Sequence, residues 1–191
     1  MIVIFKKYEM KFLSLLLPVF LFLPENALKV AFGTSANRTN TWAILSDNVM
    51  GGVSEAQIEY GANSVIVKGN VSLQNRGGFV SIKSYFGKID LSSFKTVKIT
   101  FRSSKQKYAF TLENSRRWYQ PAYKHEFSAK EINKWEIVLL DLNNFEEEVI
   151  GQPTGMKANK SILETILRIG ISTNEKREGP FQLEIESIEF I

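Results

Sequence analysis

Apolar and polar residues alternate with a period of two along much of this chain, and this alternation constrains the fold more than any other feature. The segment 97–101 (VKITF) shows it, and it returns at 108–112, 167–171 and 181–190. Successive side chains of a β-strand point to opposite faces, so each segment predicts a strand with one buried face. A one-residue slip in the alternation at Ser187 predicts a β-bulge in the last strand.

Short turn-forming segments separate these strands. Residues typical of tight turns (Gly, Asn, Asp, Ser and Pro) cluster at 60–63, 75–78, 90–93 and 178–180. Many short strands at this spacing predict an all-β fold, a jelly-roll β-sandwich in a single domain. One short helical turn is predicted at 161–166, where Ser161 and Glu164 have the spacing of a capping box.

The N-terminal segment 1–27 has the organisation of a secretory signal peptide. Three lysines precede an apolar run at 12–23, which is too short to span a bilayer as a helix. Ala27 is small enough to precede a cleavage site, although the site itself stays open. The first arginine is Arg38, whereas mitochondrial transit peptides are rich in arginine.

The rest of the chain divides into a linker and one domain. Residues 28–41 end in small polar residues and are predicted to be a linker, and 42–191 form the predicted domain. We expect an exported protein, periplasmic or secreted, with no integral membrane segment once the signal is removed. The alternative is a mitochondrial location, if the chain is eukaryotic.

Composition excludes several classes of site. The chain has no cysteine, so thiolate metal sites, disulfides and cysteine nucleophiles are excluded, and one histidine cannot form a multi-histidine metal site. The formal charge of +4 is dispersed, with no basic run to neutralise phosphates, so no nucleic-acid partner is expected. No cofactor and no metal are predicted, although calcium at Asp90 or Asp141 stays open.

The segment 42–55 (WAILSDNVMGGVSE) is the most individual part of the sequence. Paired glycines permit unusual backbone conformations, and short polar side chains bond nearby amides. The segment is therefore interpreted either as a self-bonded loop or as a ligand-facing rim. Its candidate binding residues are Trp42, Asp47, Asn48, Gly51, Gly52 and Ser54. Ser54 resembles a nucleophile in sequence only, because no helix is predicted to follow it and His125 is the only histidine base.

A second candidate site combines aromatic rings with guanidinium groups. Its residues are Arg117, Trp118, Tyr119, Tyr123 and His125. Such groups stack on sugar rings or on a partner's side chains. The same pattern is also typical of a strand pair with aromatic residues in the core.

Three segments resemble the complex I intermediate-associated protein family. They are SDNVMGGVSEA at 46–56, GNVSLQNRGGFVSIKS at 69–84 and GPFQLEIESIEFI at 179–191. The resemblance implies a galactose-binding-like jelly roll without catalytic residues. It also implies an assembly chaperone of the kind that mitochondrial members provide for NADH:ubiquinone oxidoreductase.

Two functional hypotheses follow. The first is a non-catalytic binding or assembly module with a protein partner, such as an assembly intermediate of a respiratory complex. The alternative is a carbohydrate-binding module of the cell envelope, suggested by the fold and by the aromatic cluster around Trp118. No enzymatic activity is expected.

Overall fold

The structure, a computed structural model, describes residues 27–32, 42–104 and 106–191. The predicted signal peptide lies outside these residues except for Ala27. The described strands are β1 (Leu28–Ala31), β2 (Trp42–Ser46), β3 (Glu55–Tyr60), β4 (Val65–Val71), β5 (Val80–Ser84), β6 (Thr96–Ser103), β7 (Lys107–Glu113), β8 (Ala122–Ser128), β9 (Glu136–Asp141), β10 (Glu146–Val149), β11 (Gln152–Lys157), β12 (Arg168–Thr173) and β13 (Gly179–Phe190). The described helical elements are α1 (Lys160–Leu163) and 3₁₀ turns at Asp47–Met50, Gln74–Arg76 and Leu142–Asn144.

The strands form two antiparallel sheets that enclose one core. Sheet A has the order β3-β4-β13-β6-β9, with β1 also paired to β13, and sheet B has the order β11-β10-β8-β7-β12-β5-β2. The strands predicted from alternation are confirmed as β6, β7, β12 and β13. Strand β6 buries every second residue, as the pattern requires. The predicted all-β architecture of two packed sheets is confirmed.

The predicted bulge is present in β13, one residue earlier than expected. Pairing with β6 shifts between Ile185 and Ser187, so that Glu186 has no partner in the β6 register. Glu186 is exposed, whereas the residues on either side of it are buried. The extra residue lets both halves of β13 keep their apolar side chains in the core.

Aromatic rings join the two sheets across the core. Phe110 of β7 is fully buried and packs edge-to-face on Phe190 of β13, with ring centroids 6.3 Å apart. The ring of Phe145 approaches Phe110 to 6.0 Å in the same geometry. Edge-to-face pairs of this kind contribute about 0.5–1.5 kcal/mol each beyond their buried area. This cluster therefore fixes how the sheets face each other.

The predicted linker is corrected at its first residues. Leu28–Ala31 forms β1 and pairs with β13 from Phe190 to Ser187, and Phe32 packs on Trp42 in the core. Four residues are too few to show a clear period, which is why the alternation did not reveal this strand. Residues 33–41 lie outside the described part of the chain.

The predicted helical turn is present as α1, but its N-cap differs. Asn159, and not Ser161, is the cap, since its side chain accepts a hydrogen bond from the backbone of Ile162 at 3.2 Å. Asparagine is at least as good a cap as serine, so the earlier residue begins the helix. Within the described ranges, no helix is long and apolar enough to cross a membrane.

Replacing Phe110 by alanine tests the joining of the sheets. Phe110→Ala is expected to lower the free energy of unfolding by about 3–5 kcal/mol, because it leaves a cavity between Phe145 and Phe190. Urea denaturation measures the change. Met156→Ala, at an exposed position, is the control and should change stability by less than about 0.5 kcal/mol. Equal effects of the two substitutions would contradict this packing.

Candidate functional site

Two loops that cross from one sheet to the other meet at one end of the sandwich. The first, residues 47–54, connects β2 of sheet B to β3 of sheet A, and we call it the signature loop. The second, residues 72–79, connects β4 of sheet A to β5 of sheet B, and we call it the companion loop. Asp47 of the signature loop is the residue that joins them.

The carboxylate of Asp47 is fully buried and accepts four hydrogen bonds. Within the signature loop, it accepts from the hydroxyl of Ser54 at 2.5 Å and from the backbone N–H of Ser54 at 2.9 Å. From the companion loop, it accepts from the N–H of Gly78 at 2.6 Å and of Phe79 at 3.3 Å. A buried charge is tolerated only when it is hydrogen-bonded in this way. One side chain thus holds both crossings in register.

Two glycines make room for this carboxylate. A Cβ atom at Gly52 or at Gly77 would overlap the carboxyl group of Asp47. Both positions therefore require glycine because of close packing, with no need for an unusual backbone angle. Gly51 differs, since its φ of +87° lies in the left-handed region that favours glycine.

Hydrogen bonding keeps Asp47 ionised. Burial by itself raises the pKa of Asp47, but the hydrogen bonds from the Ser54 hydroxyl and from the N–H groups of Gly78, Ser54 and Phe79 outweigh it. The net result is a pKa below the usual value of 3.8. The carboxylate therefore stabilises the fold at neutral pH.

Ser54 has a structural environment. Its hydroxyl donates to Asp47 and accepts from the N–H of Ser72 at 2.9 Å, so it is fully buried in the junction. His125 is elsewhere, on β8, with its ring against Phe145 at 5.5 Å and its Nδ1 atom 3.0 Å from the carbonyl oxygen of Glu126. Neither residue has the partner that a serine nucleophile needs.

Beyond the junction, the two loops expose apolar side chains. Four of these, which we call the loop tips, are Val49, Met50, Val53 and Leu73. Val49 and Met50 are 66% and 67% exposed. Asn48 is also exposed, and the side chain of Asn75 donates to the carbonyl of Gly51 at 3.0 Å, which links the loops a second time.

The loop tips were not predicted as site residues. The sequence indicates them in one way: apolar residues occur in two segments that lack the alternation of a β-strand. Trp42, by contrast, was predicted to bind and is buried in the core against Phe32, with ring centroids 5.5 Å apart. Its position at the start of β2 places it inside the sandwich.

The second predicted cluster is divided between the surface and the core. Trp118 and Tyr119 lie in the β7–β8 connection and pack edge-to-face, with Trp118 78% exposed. Arg117 is exposed beside them. Tyr123 is buried, and its hydroxyl donates to Glu147 at 2.7 Å. His125 is half-buried on Phe145, so Arg117, Trp118 and Tyr119 are the exposed members of the predicted cluster.

No group of three potential metal ligands occurs among the residues that the structure describes. Asp90 and Asp141 were the candidates for calcium. Each accepts hydrogen bonds from its own turn, Asp90 from the N–H of Ser92 and Asp141 from Asn143. These bonds are typical of Asx turns.

Most of the chain matches one known protein family. The profile of the complex I intermediate-associated protein 30 family matches residues 30–185. The chain belongs to this family. The match includes both loops of the Asp47 junction, which agrees with the resemblance of the three sequence segments. No curated protein matches the sequence closely enough to be called a relative.

Solved structures with a similar fold include carbohydrate-binding modules. A family 11 module of the cellulosomal cellulase Lic26A-Cel5E of Clostridium thermocellum has a TM-score of 0.62 and 14% identity, with 85% of this chain and 94% of the module covered. A family 11 module from the same organism, in complex with a β-1,3-1,4-mixed-linked tetrasaccharide, has a TM-score of 0.60 and 13% identity, with coverage of 85% and 95%. The predicted galactose-binding-like jelly roll is confirmed as the fold.

Replacing Asp47 by asparagine tests the junction. At neutral pH, Asp47→Asn is expected to lower the free energy of unfolding by about 2–4 kcal/mol. The amide of asparagine keeps the shape of the carboxylate. Its NH₂ group, however, is itself a donor and cannot accept the hydrogen bonds that one carboxylate oxygen accepts. Urea denaturation measures the loss, and Glu164→Gln, at an exposed carboxylate, is the control.

The same substitution has a pH dependence of known sign. Folding lowers the pKa of Asp47, so the ionised carboxylate contributes to the free energy of unfolding above pH 3.8, the pKa of the unfolded chain. This contribution is lost as the pH falls below 3.8 and through the lower pKa of the folded state. The difference between wild type and Asp47→Asn should therefore shrink below about pH 4. A difference that stays constant from neutral to acidic pH would contradict the role of the charge.

Proposed function

We propose that this chain is a non-catalytic protein-binding module that acts as an assembly factor and contacts its partner through the loop tips. The observation that carries the proposal is the Asp47 junction. It holds two sheet-to-sheet crossings in a fixed arrangement while Val49, Met50, Val53 and Leu73 remain exposed.

Apolar side chains on a rigid base suit protein recognition. Burying an exposed valine, leucine or methionine side chain completely contributes roughly 1.5–3 kcal/mol to the free energy of binding. Because the junction already orders both loops, little conformational entropy is lost when a partner binds. Methionine adapts to irregular partner surfaces. The loop tips thus provide anchors around which an interface forms.

The absence of catalysis belongs to the same proposal. Ser54 is engaged by Asp47, and His125 packs on Phe145. Membership of the family supports a partner among the assembly intermediates of complex I. The N-terminal sequence supports export, for which the partner is a protein of the periplasm or the cell surface; a complex I intermediate is the partner at the alternative, mitochondrial location.

Charge placed on the loop tips tests this function. A chain with both Val49→Asp and Met50→Asp is compared with wild type by gentle crosslinking in cells and affinity purification. We expect at least a tenfold loss of the crosslinked partner, equivalent to about 1.4 kcal/mol, because two carboxylates must lose water on binding.

The control is Met156→Asp, at another exposed methionine, on β11. It should leave the recovery of the partner unchanged. If the wild-type chain recovers no reproducible partner, or if the loop-tip variant recovers it as well as wild type does, the proposed function is wrong.

A second candidate function is carbohydrate binding. The observation that favours it is Trp118, whose exposed indole packs edge-to-face on Tyr119. The likeness to carbohydrate-binding modules supports the same candidate at the level of the fold alone. A flat aromatic face with Arg117 beside it is suited to stacking on a sugar ring.

A glycan array tests this candidate. If it holds, wild type binds a defined glycan and Trp118→Ala reduces the signal at least about tenfold, as expected for an aromatic anchor. Trp135→Ala, at an exposed tryptophan in the β8–β9 connection, is the control. Absence of binding, or equal binding by Trp118→Ala, would remove the candidate.

A further inference from the structure

Strand β9 is an edge of sheet A with an apolar outer face. It pairs with β6 on one side, and among the described strands none pairs with its other side. Ile137 and Leu139 lie opposite Thr100 and Lys98 of β6, on the face turned away from the core. They are 60% and 61% exposed. Two large aliphatic side chains are thus left uncovered beside an open strand edge.

The backbone of the same residues faces the open edge. The N–H of Leu142, just after β9, donates to the carbonyl of Lys95, just before β6. The next residue, Thr96, exchanges hydrogen bonds with Ile191 on the opposite side of β6. In an antiparallel pair the direction of the backbone groups alternates. Glu136, Val138 and Leu140 therefore bond to β6, whereas the N–H and C=O groups of Ile137, Leu139 and Asp141 point outward.

Two of the other edge strands, β3 and β11, carry residues that hinder pairing. The outward positions of β3 carry Glu55, Gln57 and Glu59, and β11 contains Pro153 and Gly155. Charges, proline and glycine are the usual means by which proteins block an edge strand. Strand β9 has aliphatic residues where β3 has carboxylates and an amide.

We propose that β9 pairs with β9 of a second copy of this chain, antiparallel about a two-fold axis at Val138, so that the two A sheets become one continuous sheet. In this register Ile137 lies opposite Leu139 of the second copy and Leu139 lies opposite its Ile137. Both residues direct their backbone groups to the interface, so each pair exchanges two hydrogen bonds.

The outer face of β9 is complementary to itself in this register. The four aliphatic side chains form one row across the interface, where each pair is buried by its neighbours. Trp135 lies on the same face, since Arg102 of β6 stacks on its ring at 4.9 Å, and it falls opposite Asp141. The indole N–H of Trp135 and the Oδ2 atom of Asp141 have no hydrogen-bond partner among the described residues. In the dimer the indole N–H of one chain can donate to the Asp141 carboxylate of the other.

No like charges face each other in this arrangement. Glu136 lies opposite Leu140, and Lys134 lies opposite Leu142. One strand pair buries less than the standard interface of about 1,600 Å². We therefore expect a reversible dimer with a dissociation constant on the order of 10–100 µM. The dimer leaves the loop tips free, so it is independent of the proposed function.

Sedimentation equilibrium tests the dimer. Wild type should change from monomer to dimer between about 1 µM and about 500 µM protein. Leu139→Lys puts a charge on the edge and should weaken association at least tenfold, whereas Met156→Lys, on the edge strand β11, should associate like wild type. A wild type that stays monomeric throughout, or a Leu139→Lys variant that dimerises normally, would overturn the proposal.

Engineered disulfides test the register, because the natural sequence has no cysteine. Residues directly opposite in a hydrogen-bonded pair have Cα atoms about 5.5 Å apart, which a disulfide can bridge, whereas diagonal neighbours about 7–8 Å apart are too distant. A mixture of Ile137→Cys and Leu139→Cys chains should therefore crosslink as a heterodimer, and each chain alone should not. Equal crosslinking of a single variant with itself, or no heterodimer, would contradict this pairing.

Discussion

The buried carboxylate of Asp47 is the interaction on which the arrangement of the signature loop and the companion loop depends. An ionised side chain without water must be hydrogen-bonded, and here the donors come from two loops that both cross between the sheets. The carboxylate therefore requires Ser54 as a donor and glycine at 52 and 77, where any side chain would overlap it. The residues that make the signature loop recognisable in the sequence are largely those that the buried charge requires.

This division explains why the recognisable motif and the proposed contact surface differ. Asp47, Gly52 and Ser54 face inward and fix the loops, while the loop tips face outward and are free to contact a partner. The exposed Trp118 lies on the β7–β8 connection, and the open edge at β9 belongs to sheet A. The three surfaces lie on different elements, so substitutions at one leave the others intact and their roles are separable.

The sequence predicts the sandwich well because alternation is local. Strands β6, β7, β12 and β13 each carry enough period-two residues to be seen, whereas β1 has only four residues. The Asp47 junction was not predictable in detail, since Gly78 lies 31 positions further along the chain and nothing local indicates that they meet. The aromatic neighbours of Tyr123 in the sequence predict that it belongs to a binding cluster, but its position on β8 turns it into the core.

Native-state hydrogen exchange of the backbone amides of Ser54 and Gly78 tests the central claim most directly. Both amides donate to Asp47, so they should exchange about as slowly as the amides of β13 in the core. Their hydrogens should exchange only when a larger part of the domain unfolds. Gly51 donates to a carbonyl within its own exposed turn and should exchange much faster. Rapid exchange at Ser54 and Gly78, at the rate of Gly51, would contradict a junction held by the buried carboxylate.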